Sequence, residues 1–149
     1  MALKVSEKQK KVNEEHEQHV RRGKNAKRKG GSFENIIAKI FGEKYGIELK
    51  RTPQSGGFAS KSTLADDYRG DITIVNPKHY LKLHIECKNC KTWSLPKWIA
   101  QAEGDCPKNR IPMVVFHQHN TSNNYVCLKL DDFLKLVEKD KVIGRREIE

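Results

Sequence analysis

Two carboxylates and an ammonium are the parts of this sequence best suited to chemistry: Asp71 and, after an interval of fourteen residues, Glu86-Cys87-Lys88. Apolar and polar residues alternate in Leu81-Lys82-Leu83-His84-Ile85-Glu86-Cys87-Lys88, so a strand there turns Glu86 and Lys88 to one face and Ile85 and Cys87 to the other. Two acids and a lysine in one cleft can hydrolyse a phosphodiester. The carboxylates hold Mg²⁺, the cation stabilises charge growing on the phosphate oxygens and lowers the pKa of a bound water, and the lysine orients or deprotonates that water. On their own the three residues are better explained as a solvated strand face with cross-strand charge pairs. The elements that would position them therefore have to be read.

The chain has 149 residues, enough for one domain with a modest core, and its 36% hydrophobic and 32% charged content predicts a globular body with a polar, uncored segment. No apolar run approaches the roughly 20 residues of a membrane span, and Met1-Ala2-Leu3-Lys4 leads into charge. A soluble, intracellular protein of the cytoplasm or nucleoid, with no membrane partner, is expected. Cys87, Cys90, Cys106 and Cys127 are too few to staple such a domain and are read as reduced thiols. The net charge is +10, and residues 1–31 hold ten Lys and Arg against four Glu. A basic arm on a less basic body is the electrostatic footprint of a nucleic-acid binder.

Residues 1–31 are read as a basic, flexible or loosely helical arm and residues 32–149 as the folded domain. Between Val20 and Gly31 the arm carries Arg21, Arg22, Lys24, Lys27, Arg28 and Lys29 with no acid and little to bury. Phe33, Ile36, Ile37, Ile40 and Phe41 recur at helical spacing, which predicts a helix from Ser32 as N-cap to Tyr45, stopped by Gly46. Glu34 then lies in its first turn, where a carboxylate also complements the helix dipole. A short strand spans Gly46–Arg51. Residues 54–70 are rich in Gly and Ser without a period, a loop long enough to grip a substrate. Asp71–Val75, a turn at Asn76-Pro77-Lys78 and Leu81–Lys88 read as a hairpin. A helix follows from Ser94 to Glu103 with Pro96 near its start, then a strand over Ile111–His117 buried on both faces, a strand over Tyr125–Leu130, and a last helix from Asp131, capped by one of its aspartates. This order implies an α/β fold, a mixed central sheet flanked by helices.

With Glu34 on the first helix, Arg51 and Ser55-Gly56 after the first strand, Asp71 opening the second, Glu86-Cys87-Lys88 on the third and Gln101 on the next helix, the chain resembles the PD-(D/E)xK nuclease superfamily over residues 29–137. Within it, the likeness is to the archaeal and phage type of Holliday junction resolvase, which leaves a phage-encoded origin open. The resemblance implies a restriction-endonuclease-like core with Asp71 and Glu86 as principal metal ligands, helped by the main-chain carbonyl of Cys87, and Glu34 reaching the site directly or through water. Lys88 would act on the attacking water. Arg51, Ser55 and Gln101 would contact the scissile phosphate or its neighbours, and the arm's Arg21, Arg22, Lys24, Lys27, Arg28 and Lys29 would hold DNA. Mg²⁺, with Mn²⁺ as substitute, is the implied cofactor, and the implied substrate is four-way or branched DNA, nicked by a homodimer because two symmetric cuts need two sites. Departures exist: Gly70 stands where the family's name has proline, and Asp66 and Asp67 precede it as further acids.

Rival readings stand beside this one. A site-specific or homing endonuclease of the same fold would use the long loop to read bases, and a basic nucleic-acid-binding protein without catalysis would use the charge alone. Cys87-Lys88-Asn89-Cys90 has the spacing of one zinc knuckle, with Cys106, His117 and His119 downstream, but a zinc site takes two such pairs and Cys87 faces the core. His84 and the pair His117 and His119 read as ordinary strand residues at or near the surface. Trp93 and Trp98 could stack on bases, although packing of their helix on the sheet is the simpler use.

Overall fold

The computed structural model describes residues 7–53 and 65–138. A single helix, α1 (Glu7–Tyr45), opens the chain. It is closed by Gly46 at φ 65°, a conformation that suits glycine, and by the Ile47 N–H donating 3.1 Å to the Gly42 carbonyl, so the helix stops where the sequence predicts. Its start is different. The expected boundary at residue 31 falls inside one unbroken helix, Ser32 caps nothing, and Glu34 lies well past the first turn, which removes the helix-dipole explanation of that carboxylate. The cause is intrinsic propensity: Lys, Arg, Glu, Gln and Ala are good helix formers, and the cost of about 1 kcal/mol for each glycine does not outweigh them. The described side chains from Glu7 to Lys29 are exposed, so the cations ride on a solvated rod continuous with the body.

β1 (Leu49–Arg51) pairs antiparallel with β2 (Ile72–Ile74), Arg51 opposite Ile72, and a 3₁₀ turn at Ala65–Tyr68 precedes β2. The larger sheet has the order β3-β4-β5: β3 (Leu83–Lys88) runs parallel to β4 (Ile111–His117) through the crossover helix α2 (Leu95–Asp105), and β5 (Asn124–Cys127) returns antiparallel. A short α3 (Leu130–Leu136) follows. The expected α/β fold with a mixed sheet flanked by helices is thus present, and it is that of a restriction-endonuclease-like core. Among the described helices none is long and apolar enough to cross a membrane.

Two layers of packing fix the sheet. On one face Phe33, Ile37 and Ala38 of α1 meet Ile72, Ile85, Met113 and Val115; on the other, Trp98 and Ala102 of α2 meet Val114 and Phe116. The alternation in β3 therefore sorts as the sequence predicts, with Ile85 and Cys87 toward α1 and Glu86 away from it.

Three local expectations are corrected. β2 and β3 are not a hairpin: β2 takes β1 as its partner, and β3 takes β4, because α2 can bring a parallel strand alongside whereas the Asn76-Pro77-Lys78 turn does not close a two-residue hairpin. The residue before α3 is Lys129, with no side-chain capping bond, and Asp131 and Asp132 sit in the first turn instead. His84 is not at the surface but 1% exposed, sealed between α2's side of β3 and the chain at Gly70. Most of the long loop, with Ser55, lies outside the described residues.

Candidate active site

Asp71 is fixed by its backbone before its side chain is considered. Its N–H donates 2.8 Å to the Ile85 carbonyl on β3, and its own carbonyl accepts 2.8 Å from Thr52 N–H after β1, so this one residue ties the ribbon to the sheet. The carboxylate then accepts the Cys87 N–H at Oδ2, 2.7 Å. Such close docking needs glycine next door, since a Cβ at Gly70 would stand 3.1 Å from the Ile85 carbonyl and 3.3 Å from His84 Nδ1. The family's proline is replaced here by the residue with the least bulk.

Glu86, two residues along β3 from His84, is buried under α2. Its Oε1 accepts 2.6 Å from Lys88 Nζ and 2.7 Å from Gln101 Nε2, and Gln101 Oε1 in turn accepts 2.9 Å from the same Lys88 ammonium. The three side chains close a triangle. Two of the three Lys88 N–H groups are thereby oriented, and the third is left for a ligand. This ion pair is largely buried, so removing Lys88 would leave Glu86 uncompensated, a loss of about 3–5 kcal/mol in comparable cases.

On the α1 side, Glu34 is half-buried and accepts from Arg51 Nε in an ion pair. Beyond it, a cavity of about 440 Å³ lies between α1 and the end of β3, lined by Arg22, Asn25 and Lys29 opposite Lys88 and Asn89. Spacing of three, four and seven residues puts Arg22, Asn25, Ala26 and Lys29 on one helix face.

The electrostatics are those of an acid cluster short of positive charge. Burial first, and then the neighbouring Glu86 and Glu34, push the Asp71 carboxyl from 3.8 up to about 7, against the lowering effects of the Cys87 N–H and Lys88. Burial, joined by the same acids, also raises the Cys87 thiol, which makes it a poor nucleophile and metal ligand. His84 is held below its ordinary value by burial.

The sequence model of one family, described as phage putative PDDEXK endonuclease, matches residues 25–149. The chain belongs to this PD-(D/E)xK nuclease family. No curated protein and no solved structure matches the chain. The family match begins within α1, so the basic residues from Lys27 onward lie inside it.

PD-(D/E)xK nucleases generally use divalent metals, and DNA is the substrate that the family implies. The donor set of this member suits such a cation. Asp71 and Glu86 each use one oxygen in the bonds above, which leaves Asp71 Oδ1 and Glu86 Oε2 without a protein partner among the described residues. Burial first, and then Glu86 and Glu34, disfavour the Asp71 carboxylate, a cost that a bound cation would offset. Hard carboxylate oxygens are the ligands that Mg²⁺ and Mn²⁺ prefer. Among the described residues no group of three or more His, Cys, Asp and Glu is gathered closely enough to hold a metal, so neither a three-acid cage nor the zinc arrangement around Cys87 and Cys90 forms; all four cysteines are free.

Of the residues singled out in the sequence, Asp71, Glu86, Lys88 and Gln101 come together, Glu34 and Arg51 join them as a pair, and Arg22 and Lys29 face Lys88 across the cavity. Arg28 lines a neighbouring cleft, whereas Arg21, Lys24 and Lys27 are exposed on α1 and line neither. Trp98 packs in the α2 layer, and the Trp93 and Phe116 rings meet edge to face with centroids 4.9 Å apart. Sequence reasoning missed the Cys87 N–H as the anchor of Asp71. A backbone donor leaves no residue-type signal, although the small Gly70 beside the acid is the trace of the close approach it requires.

Proposed function

We propose that this chain is a Mg²⁺-dependent DNA endonuclease that nicks branched, most simply four-way, DNA as a homodimer. The observation that carries the reading is the Glu86–Lys88–Gln101 triangle at the end of β3, with Asp71 held beside it on the Cys87 N–H and Lys88 lining a cavity that Arg22 and Lys29 line from α1. Asp71, Glu86 and the Cys87 carbonyl would hold the cation, with Glu34 reaching it directly or through a water. The cation, when bound, would stabilise the charge that builds on the phosphate oxygens and activate the attacking water. Lys88, as an ammonium steadied by Glu86 and Gln101, donates its remaining N–H to that water or to the phosphate. Gln101 acts through Lys88, and Arg51, released from Glu34, would meet phosphate charge. Arg22, Lys29 and the other cations of α1 bind the flanking backbone without reading sequence. Residues 1–31 act as a DNA-holding extension of the domain that follows.

The test compares a four-way junction with a linear duplex of identical sequence, both with Mg²⁺. Faster nicking of the junction, by symmetric cuts in opposing strands, is expected. Equal rates on both, or cutting only at one duplex sequence, would overturn the junction reading in favour of a site-specific enzyme.

A further inference from the structure

A second cleft adjoins the proposed centre, and apart from its α1 cations it has no part in the reading above. It has a volume of about 500 Å³ and lies between α1 and the β4–β5 turn. Its open apolar surface is Ile36, with the buried Phe33 behind it; Arg28 and Lys29 supply cations, and His117, Asn124 and Asn89 supply polar groups. The polar groups are set rather than loose: His117 Nδ1 and Asn124 Oδ1 are 2.9 Å apart, and the His117 ring rests against Phe33 with centroids 5.8 Å apart. Lys29 and Asn89 line this cleft and also the cavity over Lys88, so the two spaces meet at those residues. Asn89 follows Lys88 directly, which puts the cleft about one residue, ~3.8 Å along the chain, from the group that faces the scissile phosphate.

An apolar surface, cations and amide-bearing polar groups match the three parts of a nucleotide: base face, phosphate and base edge. The volume falls in the roughly 300–1,000 Å³ range of sites that enclose small molecules, enough for one nucleotide and too little for a base pair still stacked in its duplex. We propose that this cleft is a subsite for a single unpaired nucleotide adjoining the scissile phosphate. The base would lie over Ile36 with its edge toward Asn124, His117 and Asn89, and its phosphate would meet Arg28 and Lys29. The substrate class follows: DNA with an unpaired or readily unstacked nucleotide beside the cut, because extruding a base from an intact duplex costs energy that a branch or a gap has already supplied. The proposal rests on the reading of Asp71, Glu86 and Lys88 as the nuclease centre.

The experiment measures binding by fluorescence anisotropy in EDTA, where the metal-dependent centre is silent. The probes are a labelled linear duplex and the same duplex with one unpaired nucleotide, moved along the strand. Wild-type protein should bind one placement of the unpaired nucleotide about tenfold more tightly than the duplex, the factor that about 1.4 kcal/mol represents. Ser32→Trp, which fills the cleft from its α1 wall, should bring that ratio close to one, and Asn124→Ala should lower it with the least disturbance of the fold. Should circular dichroism show that Ser32→Trp has unfolded, the ratio for Asn124→Ala decides. A wild-type ratio near one at every placement, or an undiminished ratio in the folded variants, would overturn the subsite. Plasmid nicking in Mg²⁺ is run alongside. An intact plasmid with the preference preserved refutes the nuclease reading and supports the subsite, whereas a nicked plasmid with no preference refutes the subsite alone.

Discussion

Asp71→Asn should stabilise the metal-free protein, and by an amount that depends on pH in a defined direction. Folded Asp71 keeps its proton up to about pH 7, whereas the unfolded chain releases it near 3.8. Between those values the folded state holds a proton that the unfolded state has lost, so stability falls as pH rises, by at most about 1.4 kcal/mol per pH unit, and levels off above the folded pKa. Below 3.8 the carboxyl is neutral in both states and contributes nothing. The full penalty above neutrality is therefore about 4 kcal/mol as a ceiling. Asparagine removes the ionisation and keeps an oxygen for the Cys87 N–H, but brings a partly buried NH₂ that costs about 1–2 kcal/mol if unpaired. Urea unfolding in EDTA should show Asp71→Asn about 2–3 kcal/mol more stable than wild type at pH 8, with the difference nearly gone at pH 5. Saturating Mg²⁺ should reverse the order, because only the wild type gains from a ligand that binds the folded state. A variant less stable than wild type in EDTA at both pH values would refute the picture of a strained, cation-seeking acid cluster.

Other expectations follow from the same contacts. Lys88→Ala should lower kcat by about a hundredfold or more, as loss of a charge-stabilising donor does, whereas Gln101→Ala, which leaves the Lys88–Glu86 pair in place, should lose about tenfold in kcat with little change in KM; equal losses in single-turnover assays would contradict the positioning role of Gln101. Arg22→Ala and Lys29→Ala should weaken binding to all DNA alike and each flatten the log-log salt slope by about 0.9, and an unchanged slope would remove them from the DNA path. Gly70→Ala must push against the Ile85 carbonyl and His84, so it should destabilise the fold by about 1–3 kcal/mol and weaken Mn²⁺ binding measured by electron paramagnetic resonance; wild-type affinity and Tm together would show that Asp71 does not need that close approach.

Two short-range regularities made part of the candidate site legible, while Glu34, Arg51 and Gln101 entered through the family resemblance. Strand alternation put Glu86 and Lys88 on one face, and the helical stripe of α1 placed Phe33 and Ile37 in the core, although Ile36 and Ile40 of the same stripe are about half exposed. The apolar run Ile111–His117 was readable as a strand covered on both sides, and it is. What failed was information that no local window holds. Pairing of β2 with β1 rather than β3 is decided by the crossover of α2 and the parallel docking of β4, and the burial of His84 is decided by what packs opposite it, not by its place in the alternation. A loosely helical arm was legible, but its continuity with the core helix through Ser32 was not, because Ser32 and the glycines before it look like a boundary while propensity carries the helix across them. The bond from Cys87 N–H to Asp71 is a main-chain event at the meeting of two elements, invisible in residue types.

The central claim is that Asp71 and Glu86, with Lys88, form a metal-dependent nuclease centre, and the most direct measurement is nicking of supercoiled plasmid with DNA binding measured in parallel. Wild type should nick in Mg²⁺ and stop in EDTA, and Asp71→Asn and Glu86→Gln should each be slower by about a hundredfold or more while binding DNA as tightly as wild type or more so. Wild-type nicking undiminished in EDTA, or near-normal rates in either variant, would contradict it.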